Sequence, residues 1–583
     1  MQPKHFPDWL HRSLLFLAPV GLLLFTAVFF GPLDIVNSNL QYLTITGGDI
    51  LFPLLGLFLA GTLLLSALGG LLRGRALGIV WGLFTALAVL LYLQGNFLNG
   101  QLATLTGEDY RWQDNTASAI VNLLVWLLVA GGFVFLALRF EELFRTIGCI
   151  LCCALILGQG VSLLSTWNKT EEAEHNWQLS GEGDTVLSSK ENILVITLDQ
   201  VSPQVFEQAL ELDPALEETF QDFLYYDNMS SEYFLTFPSL CYLLTNESYD
   251  GSSATADYMA EAWSSERCEN FYNTLHEQGY DVRLYVEANY AAYTAENMLG
   301  KADNVVDAGS LIPSVSLLKN CLYMSFYRYF PFMAKNSFCV STGGIVDLAE
   351  FQGAEVLRIN ENFHELVEEG LSLQSETNSF TWYHLKGAHF PFAVGYDGLP
   401  LRKQAEETDE NRLIQLHGYL VQVENYLAQM KELGIYDDAT IIISADHGYY
   451  DCFEAAFLIK LPGQSFETMQ LNSAPVSQED VMPTLLYCLD ADYSDYGTSV
   501  FDWSEEDERE RCTTIWGHSD SCPEAPWVGN LDQWDNTANG GEHYNALGRV
   551  YYTGDRTTLQ MRASMWLNFG LADEILPLTD SFY

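Results

Sequence analysis

Four residues of this chain could together do chemistry: Asp199, Thr236, Asp446 and His447. Asp199 closes the run Asn192-Ile-Leu-Val-Ile-Thr-Leu, and Asp446-His447-Gly448 closes Ala439-Thr-Ile-Ile-Ile-Ser-Ala. Each run is short, apolar and β-branched, the pattern of a strand buried on both faces, and each stops on a residue type that binds cations. Adjacent parallel strands present such residues at their carboxyl ends, so two carboxylates and an imidazole can surround one cation. Thr236 stands before Phe237-Pro238-Ser239, and Pro238 suits the first position of a helix. That sets the Thr236 hydroxyl near the positive end of the helix, where an attacked anion is stabilised. Taken singly, Asp199 or Thr236 also fits a helix cap and Asp446-His447 an ion-paired turn. Their order on one chain is what points to a site.

The elements that must position these residues alternate. Strand patterns at Asn192 to Leu198, Asp281 to Val286, Phe380 to Tyr383 and Ala439 to Ser444 interleave with helical patterns near Pro203 to Glu218 and Asn411 to Leu433. Gly434 is a C-cap for the last helix. Such alternation predicts an α/β layer around a mostly parallel sheet over residues 191–502. Residues 168–190 are polar, rich in Glu, Ser and Gly, and read as a linker. Residues 503–583 begin acidic and turn-rich, then offer strands at Arg549 to Thr553 and Leu559 to Met565, as a small C-terminal subdomain.

Residues 1–167 have a different character. Five uncharged apolar stretches, Ser13 to Phe30, Leu51 to Leu72, Ala76 to Leu93, Ala117 to Leu138 and Thr146 to Leu164, each approach the roughly 20 residues a spanning helix needs. Lys4 and Arg12 precede the first, Arg73 and Arg75 separate the second and third, and Arg139 and Arg145 separate the fourth and fifth. The positive-inside rule then places the N-terminus in the cytoplasm and everything after Leu164 outside a plasma membrane. Few polar groups lie within the spans, so they read as an anchor, or as a lipid holder acting with the loop Gln94-Gly-Asn-Phe-Leu-Asn99.

The charge is lopsided, with 27 Lys+Arg against 76 Asp+Glu. Residues 1–168 hold 7 basic and 8 acidic groups, leaving 27 − 7 = 20 basic and 76 − 8 = 68 acidic beyond them, a balance of −48. Such a surface excludes nucleic acid as a partner and opposes anionic lipid. Eight cysteines follow the spans, and short separations propose Cys321 with Cys339, Cys512 with Cys522, and Cys241 with Cys268 as disulfides.

Several motifs now combine. Leu198-Asp199, Thr236-x-Pro-Ser239 with Leu243-Leu-Thr245, His384-Leu-Lys-Gly-Ala-His389-Phe-Pro391-Phe392, Ser444-Ala-Asp446-His447-Gly448 and Pro483-Thr-Leu-Leu486 occur in this order. Together they resemble the sulfatase branch of the alkaline phosphatase superfamily. Five leading spans add a likeness to the membrane-anchored lipoteichoic acid synthase-like phosphoglycerol transferases, and phosphoethanolamine transferases are similar. The resemblance implies one divalent cation, held by Asp199, Thr236, Asp446 and His447, with manganese ahead of magnesium or zinc. It implies Thr236 as nucleophile, His389 contacting the phosphate or protonating the leaving oxygen, and His384 as a second catalytic candidate. Lys386, His518 and His543 read as surface or structural residues. The implied reaction moves a phospholipid headgroup, phosphoglycerol or phosphoethanolamine, through a phosphothreonine to a surface glycan or glycolipid. A surface hydrolase and a catalytically silent glycan-binding protein are the alternatives. Two departures matter: Thr236 bears a β-methyl and cannot become the aldehyde of ordinary sulfatases, and Gln200 stands where sulfatases commonly carry another acid.

Overall fold

The computed structural model describes residues 8–38, 45–99, 116–167, 176–233, 235–249, 253, 255–309, 311–312, 314–338, 350–351, 359–448, 453–518 and 544–553. Contacts group the chain into two units: Met1–Asn176 with Ala308–Gly353, and Trp177–Asp307 with Ala354–Tyr583.

The first unit holds five helices long and apolar enough to cross a membrane: Asp8–Ser38, Gly47–Gly70, Gly74–Phe97, Thr116–Arg139 and Glu141–Trp167. They coincide with the five expected stretches, the second ending at Gly70 rather than Leu72, because a helix satisfies its own backbone where no water can. The first runs on past Phe30 to Ser38 through a π-helical turn at Phe25–Phe30. Successive spans alternate in direction. Arg12 Nε donates to Gly70 O at 2.9 Å, joining the start of the first to the end of the second. Asn122 Nδ2 donates to Gln94 Oε1 at 2.7 Å, joining the end of the third to the start of the fourth. Arg12, Arg73, Arg75, Arg139 and Arg145 therefore share one end of the bundle.

Residues 308–353 fall by sequence within the α/β domain, yet they group with the spans. The helix Val315–Tyr329 is the reason. Ser325 Oγ donates to Ala27 O at 2.7 Å, and Arg328 pairs with Asp34 at 2.8 Å. Asn99 Nδ2 donates to Arg328 O at 2.8 Å, and Phe332 N donates to Asn122 Oδ1 at 3.0 Å. Buried Gln94 joins these contacts, its Nε2 donating to Asn99 Oδ1 at 2.8 Å and its Oε1 accepting from Trp126 Nε1 at 2.9 Å. Gly95 is needed here, since a Cβ would come within 2.2 Å of the Tyr329 ring. The stretch offered as a lipid-holding loop is thus the seat of an inserted helix.

The second unit is built on one sheet. Its strands are β1 (Asn192–Leu198), β2 (Leu224–Tyr226), β3 (Tyr280–Tyr285), β4 (Asn378–Leu385), β5 (Thr440–Ala445), β6 (Phe457–Lys460) and β7 (Gln470–Asn472), in spatial order β7-β2-β6-β5-β1-β4-β3. Of these, β6 alone runs against the rest. Every β1 side chain is buried, and alternate residues serve opposite layers. Ile193 and Val195 pack with helices Thr236–Thr245 and Glu266–Glu277, while Leu194, Ile196 and Leu198 pack with Pro203–Leu212 and Asp409–Glu432. The result is the expected α/β layer with a mostly parallel sheet. The helical stretch at 203–218 splits in two because Pro214 has no N–H to continue it, and Gly434 ends the long helix at φ +72°.

Residues 177–190, expected as linker, instead carry strands Trp177–Leu179 and Val186–Ser188. These pair with Val305–Asp307 and Ser372–Gln374, and bury Leu179 and Leu187. Strands this short leave no readable period. At the C-terminal end, β8 (Glu510–His518) and β9 (Tyr544–Thr553) form a hairpin. Thr513 Oγ1 donates to Ser231 O at 2.6 Å and Thr514 N to Glu232 O at 2.7 Å, so β8 braces the segment that leads into Thr236. The proposed strand at Leu559 to Met565 lies outside the described residues.

The disulfide between Cys241 and Cys268 is not formed. Both are buried free thiols in the apolar layer between their helices. Cys321 is also a free thiol, on the helix inserted among the spans, and its proposed partner Cys339 lies outside the described residues. Cys522, proposed for Cys512, lies outside them too.

Candidate active site

Four parallel strands deliver the site. Asp199 follows β1, Asp446 and His447 follow β5, His384 sits near the end of β4, and Glu287 lies just past β3. Asp199 is held by its backbone: its N–H donates to Leu385 O and its C=O accepts from Ala388 N, both at 2.9 Å. Gly387, at φ +48°, permits that contact, since a Cβ there would lie 2.6 Å from Asp199 O.

Asp446 is fully buried. Its Oδ1 accepts from His447 N at 2.7 Å and Gln200 N at 3.1 Å, and Gln200 takes a left-handed conformation, φ 59°, to aim that N–H. His447 Nδ1 donates to Gly448 O at 2.6 Å. This sets the tautomer, leaving the Nε2 lone pair free to face the carboxylates. Nε2 lies 3.6 Å from both Asp199 Oδ1 and Asp446 Oδ2, and 3.4 Å from Thr236 Oγ1. The cluster of Asp199, Asp446 and His447 anticipated from the two strand ends is therefore assembled, with their ligand atoms within 4.8 Å of one another.

Thr236 reaches this cluster from the start of its helix. Phe237 is non-helical (φ −91°, ψ 128°), so regular helix begins at Pro238, where the sequence places its first position. The half-buried Thr236 hydroxyl stands just outside that turn.

The electrostatics are those of a cation site. Asp199 Oδ1, Asp446 Oδ2 and His384 Nε2 are buried without a hydrogen-bond partner. Burial and the neighbouring Asp446 push the Asp199 carboxyl well above the usual carboxylate range. Burial would raise Asp446 as well, but positive charge on the His447 and His384 rings in the cation-free, protonated form of the site outweighs it and holds Asp446 down at about 2. Buried unpartnered carboxylate oxygens are costly, and a divalent cation bound by both carboxylates and His447 Nε2 removes that cost. The residues present fit the implied metal.

His384 and His389 separate. His384 is buried behind Asp446, its Nδ1 donating to Glu287 Oε2 at 2.6 Å and its Nε2 3.6 Å from Asp446 Oδ2. His389 is half-buried, its Nδ1 bonded to Phe390 O, which leaves Nε2 as its open atom. Burial and the Lys386 cation push His389 down to about 4.

Two residues join the site that the sequence reading did not place there. Glu287 is one, and the signal for it was the same carboxyl-end rule applied to β3. Lys386, read as a surface or structural residue, is the other: its charge acts to lower Asp199, Glu287 and His389. The His518 side chain and His543 lie outside the described residues.

Lipoteichoic acid synthase of Staphylococcus aureus (strain USA300) is 27% identical over 140 residues, 19% of this chain, and the match spans only 21% of that relative's length. Among solved structures, a lipoteichoic acid synthase from Listeria monocytogenes is similar over 67% of this chain and 91% of its own, with TM-score 0.36 and 13% identity. A phosphonate monoester hydrolase from Silicibacter pomeroyi is similar over 67% and 97%, with TM-score 0.36 and 15% identity. The sulfatase family matches residues 191–491, more than half of the chain and every strand-end residue of the site. This chain belongs to the sulfatase family.

Proposed function

We propose that this chain is a membrane-anchored, metal-dependent phosphotransferase that moves a phospholipid headgroup, phosphoglycerol or phosphoethanolamine, to a glycan or glycolipid hydroxyl. The single observation that carries it is Thr236 Oγ1 at 3.4 Å from His447 Nε2, a secondary hydroxyl facing a three-ligand cation site. Thr236 cannot give the sulfatase aldehyde, so its chemistry is that of a plain alcohol nucleophile.

Asp199, Asp446, His447 and the Thr236 oxygen would hold a divalent cation, which when bound would lower the hydroxyl pKa and offset charge on phosphorus. This set of oxygens with one imidazole admits manganese, magnesium or zinc, and the family resemblance puts manganese first. Thr236 Oγ gives up its proton and bonds to phosphorus as the bond from phosphorus to the diacylglycerol oxygen breaks, and a proton passes by way of a base to that leaving oxygen. The acceptor hydroxyl then bonds to phosphorus as the Thr236 Oγ–phosphorus bond breaks, its proton going to the base and from there back to Thr236 Oγ. Neutral His389, with Nε2 open, is our choice for that base. His384 acts as a positioning residue, orienting Asp446 from behind. The alternating spans, with their arginines gathered at one end, support a plasma-membrane protein with a cytoplasmic N-terminus and an extracellular catalytic unit.

The test is the intact mass of the full-length, manganese-loaded protein after incubation with mixed phospholipids. A phosphoglycerol or phosphoethanolamine adduct is expected on the wild type and not on Thr236→Ala. Diacylglycerol release that survives in Thr236→Ala would sink the mechanism. Free glycerol phosphate appearing without any acceptor would make the enzyme a hydrolase.

A further inference from the structure

A groove of about 450 Å³ lies between the second span and the inserted helix, walled by Pro53, Leu57, Leu318, Leu322 and Phe326, with Lys319 beside them. Both walls belong to the first unit. The second span turns apolar side chains outward next to it, with Phe52 75% and Leu57 49% exposed, as a helix does that meets acyl chains rather than water.

The charge of the inserted segment differs from that of its surroundings. Residues 308–346 contain Lys319, Arg328 and Lys335 but no Asp or Glu, in a part of the chain whose balance is −48. Seven aromatic residues lie between Tyr323 and Phe338, and aromatic and cationic residues together favour the membrane–water interface. Arg328 is taken by Asp34, and Lys335 by the Tyr327 and Arg328 carbonyls. Lys319 is exposed, its ammonium 5.2 Å from the Tyr323 ring centre at the side of the groove. An apolar slot beside an exposed cation has the two halves needed to bind an anionic amphiphile.

We propose that this groove binds one anionic phospholipid of the bilayer, an acyl chain between the second span and the inserted helix and the phosphate on Lys319. Its role as a holding place for the donor rests on the transferase reading above. It also answers a difficulty of that reading, because an acidic chain repels anionic lipid except where an acid-free, cationic segment faces it.

The full-length protein is placed in phosphatidylcholine vesicles containing a phosphatidylglycerol with a photoreactive acyl chain, irradiated and mapped by peptide mass. Labelling is expected to concentrate in the peptides bearing Pro53 to Leu57 and Val315 to Phe326. Lys319→Gln removes one exposed charge and is expected to lower it about five-fold without changing labelling by a photoreactive phosphatidylcholine. Leu322→Trp fills the slot and is expected to lower labelling by both probes, while labelling at Leu124 to Leu128 stays constant as a check on the fold. Labelling spread evenly over the exposed spans, or unmoved by either substitution, overturns the proposal. Thr236→Ala separates the two readings: it should stop diacylglycerol release and leave labelling intact. If the wild type labels in the groove yet releases no diacylglycerol, the transferase reading fails and the lipid site stands.

Discussion

Glu287 accepts the His384 Nδ1 proton at 2.6 Å, and through that ring it bears on Asp446, whose Oδ2 lies 3.6 Å from His384 Nε2. Burial would lower His384, but Glu287 and Asp446 raise it well above the ordinary imidazole range. The imidazolium therefore contributes stability that is fully present below the unfolded value near 6.5 and is lost as pH rises through the raised folded value. In metal-free protein, Glu287→Gln should cost about 2 kcal/mol at pH 6, the scale of a hydrogen bond to a charged group. The gap from wild type should narrow at alkaline pH. Thermal unfolding across pH 6 to 10 measures it, and a gap that ignores pH would mean the pair is neutral.

Gly387→Ala should damage the site more than the fold. Its φ of +48° costs a side chain about 1–2 kcal/mol, and the new Cβ would press on Asp199 O from 2.6 Å. Manganese affinity, followed by calorimetry, should drop at least ten-fold while the protein still folds. Unchanged affinity would show that Asp199 does not depend on this contact.

Metal binding should stabilise the catalytic unit. At about 100 times its dissociation constant a ligand adds about 2.7 kcal/mol, because it binds only the folded state. Manganese should raise the melting temperature of wild type, and chelation should abolish turnover. Asp446→Asn should lose the metal-induced rise, and a full rise in that variant would move the cation elsewhere.

His389 carries a pH signature of opposite sign. Its imidazole is held down to about 4, first by burial and then by the Lys386 cation. A depressed imidazole leaves folding unaffected above the unfolded value near 6.5 and costs stability as pH falls from there toward about 4. His389→Gln should therefore lose less stability than wild type between pH 7 and 4.5 in chemical unfolding. Lys386→Met should lift the His389 titration seen by NMR toward its ordinary range.

Much of this site was legible because its parts end uninterrupted apolar strands. Asn192 to Leu198 and Ala439 to Ser444 contain no charge, so the residues that follow stand out. Glu287 did not, because β3 lies at the edge of the sheet and carries Asp281 and Arg283 at half-buried positions, which break the apolar run before it. Lys386 looked solvent-exposed because proximity to Asp199 depends on the Gly387 turn, a tertiary fact. The strands within 177–190 were hidden for a different reason: strands of three residues are too short to show a period. The misplacement of 308–353 reflects chain order, since a helix that leaves its neighbours in sequence to pack elsewhere announces itself only by composition.

That inserted helix bears on how the protein can be made and cut. A ribosome completes the fifth span at Trp167, but the partners of Asp34, Asn99 and Asn122 are translated only at Arg328 to Phe332. Until then the Asp34 carboxylate waits for its cation, and Asn99 and Asn122 are held, among the described residues, by Gln94 alone. A truncation after residue 176 would make that wait permanent, and a fragment starting at Trp177 would carry seven interfacial aromatics with no spans to receive them. Neither half is a natural expression unit; the chain has to be produced whole, or residues 308–353 returned to the spans with which they group.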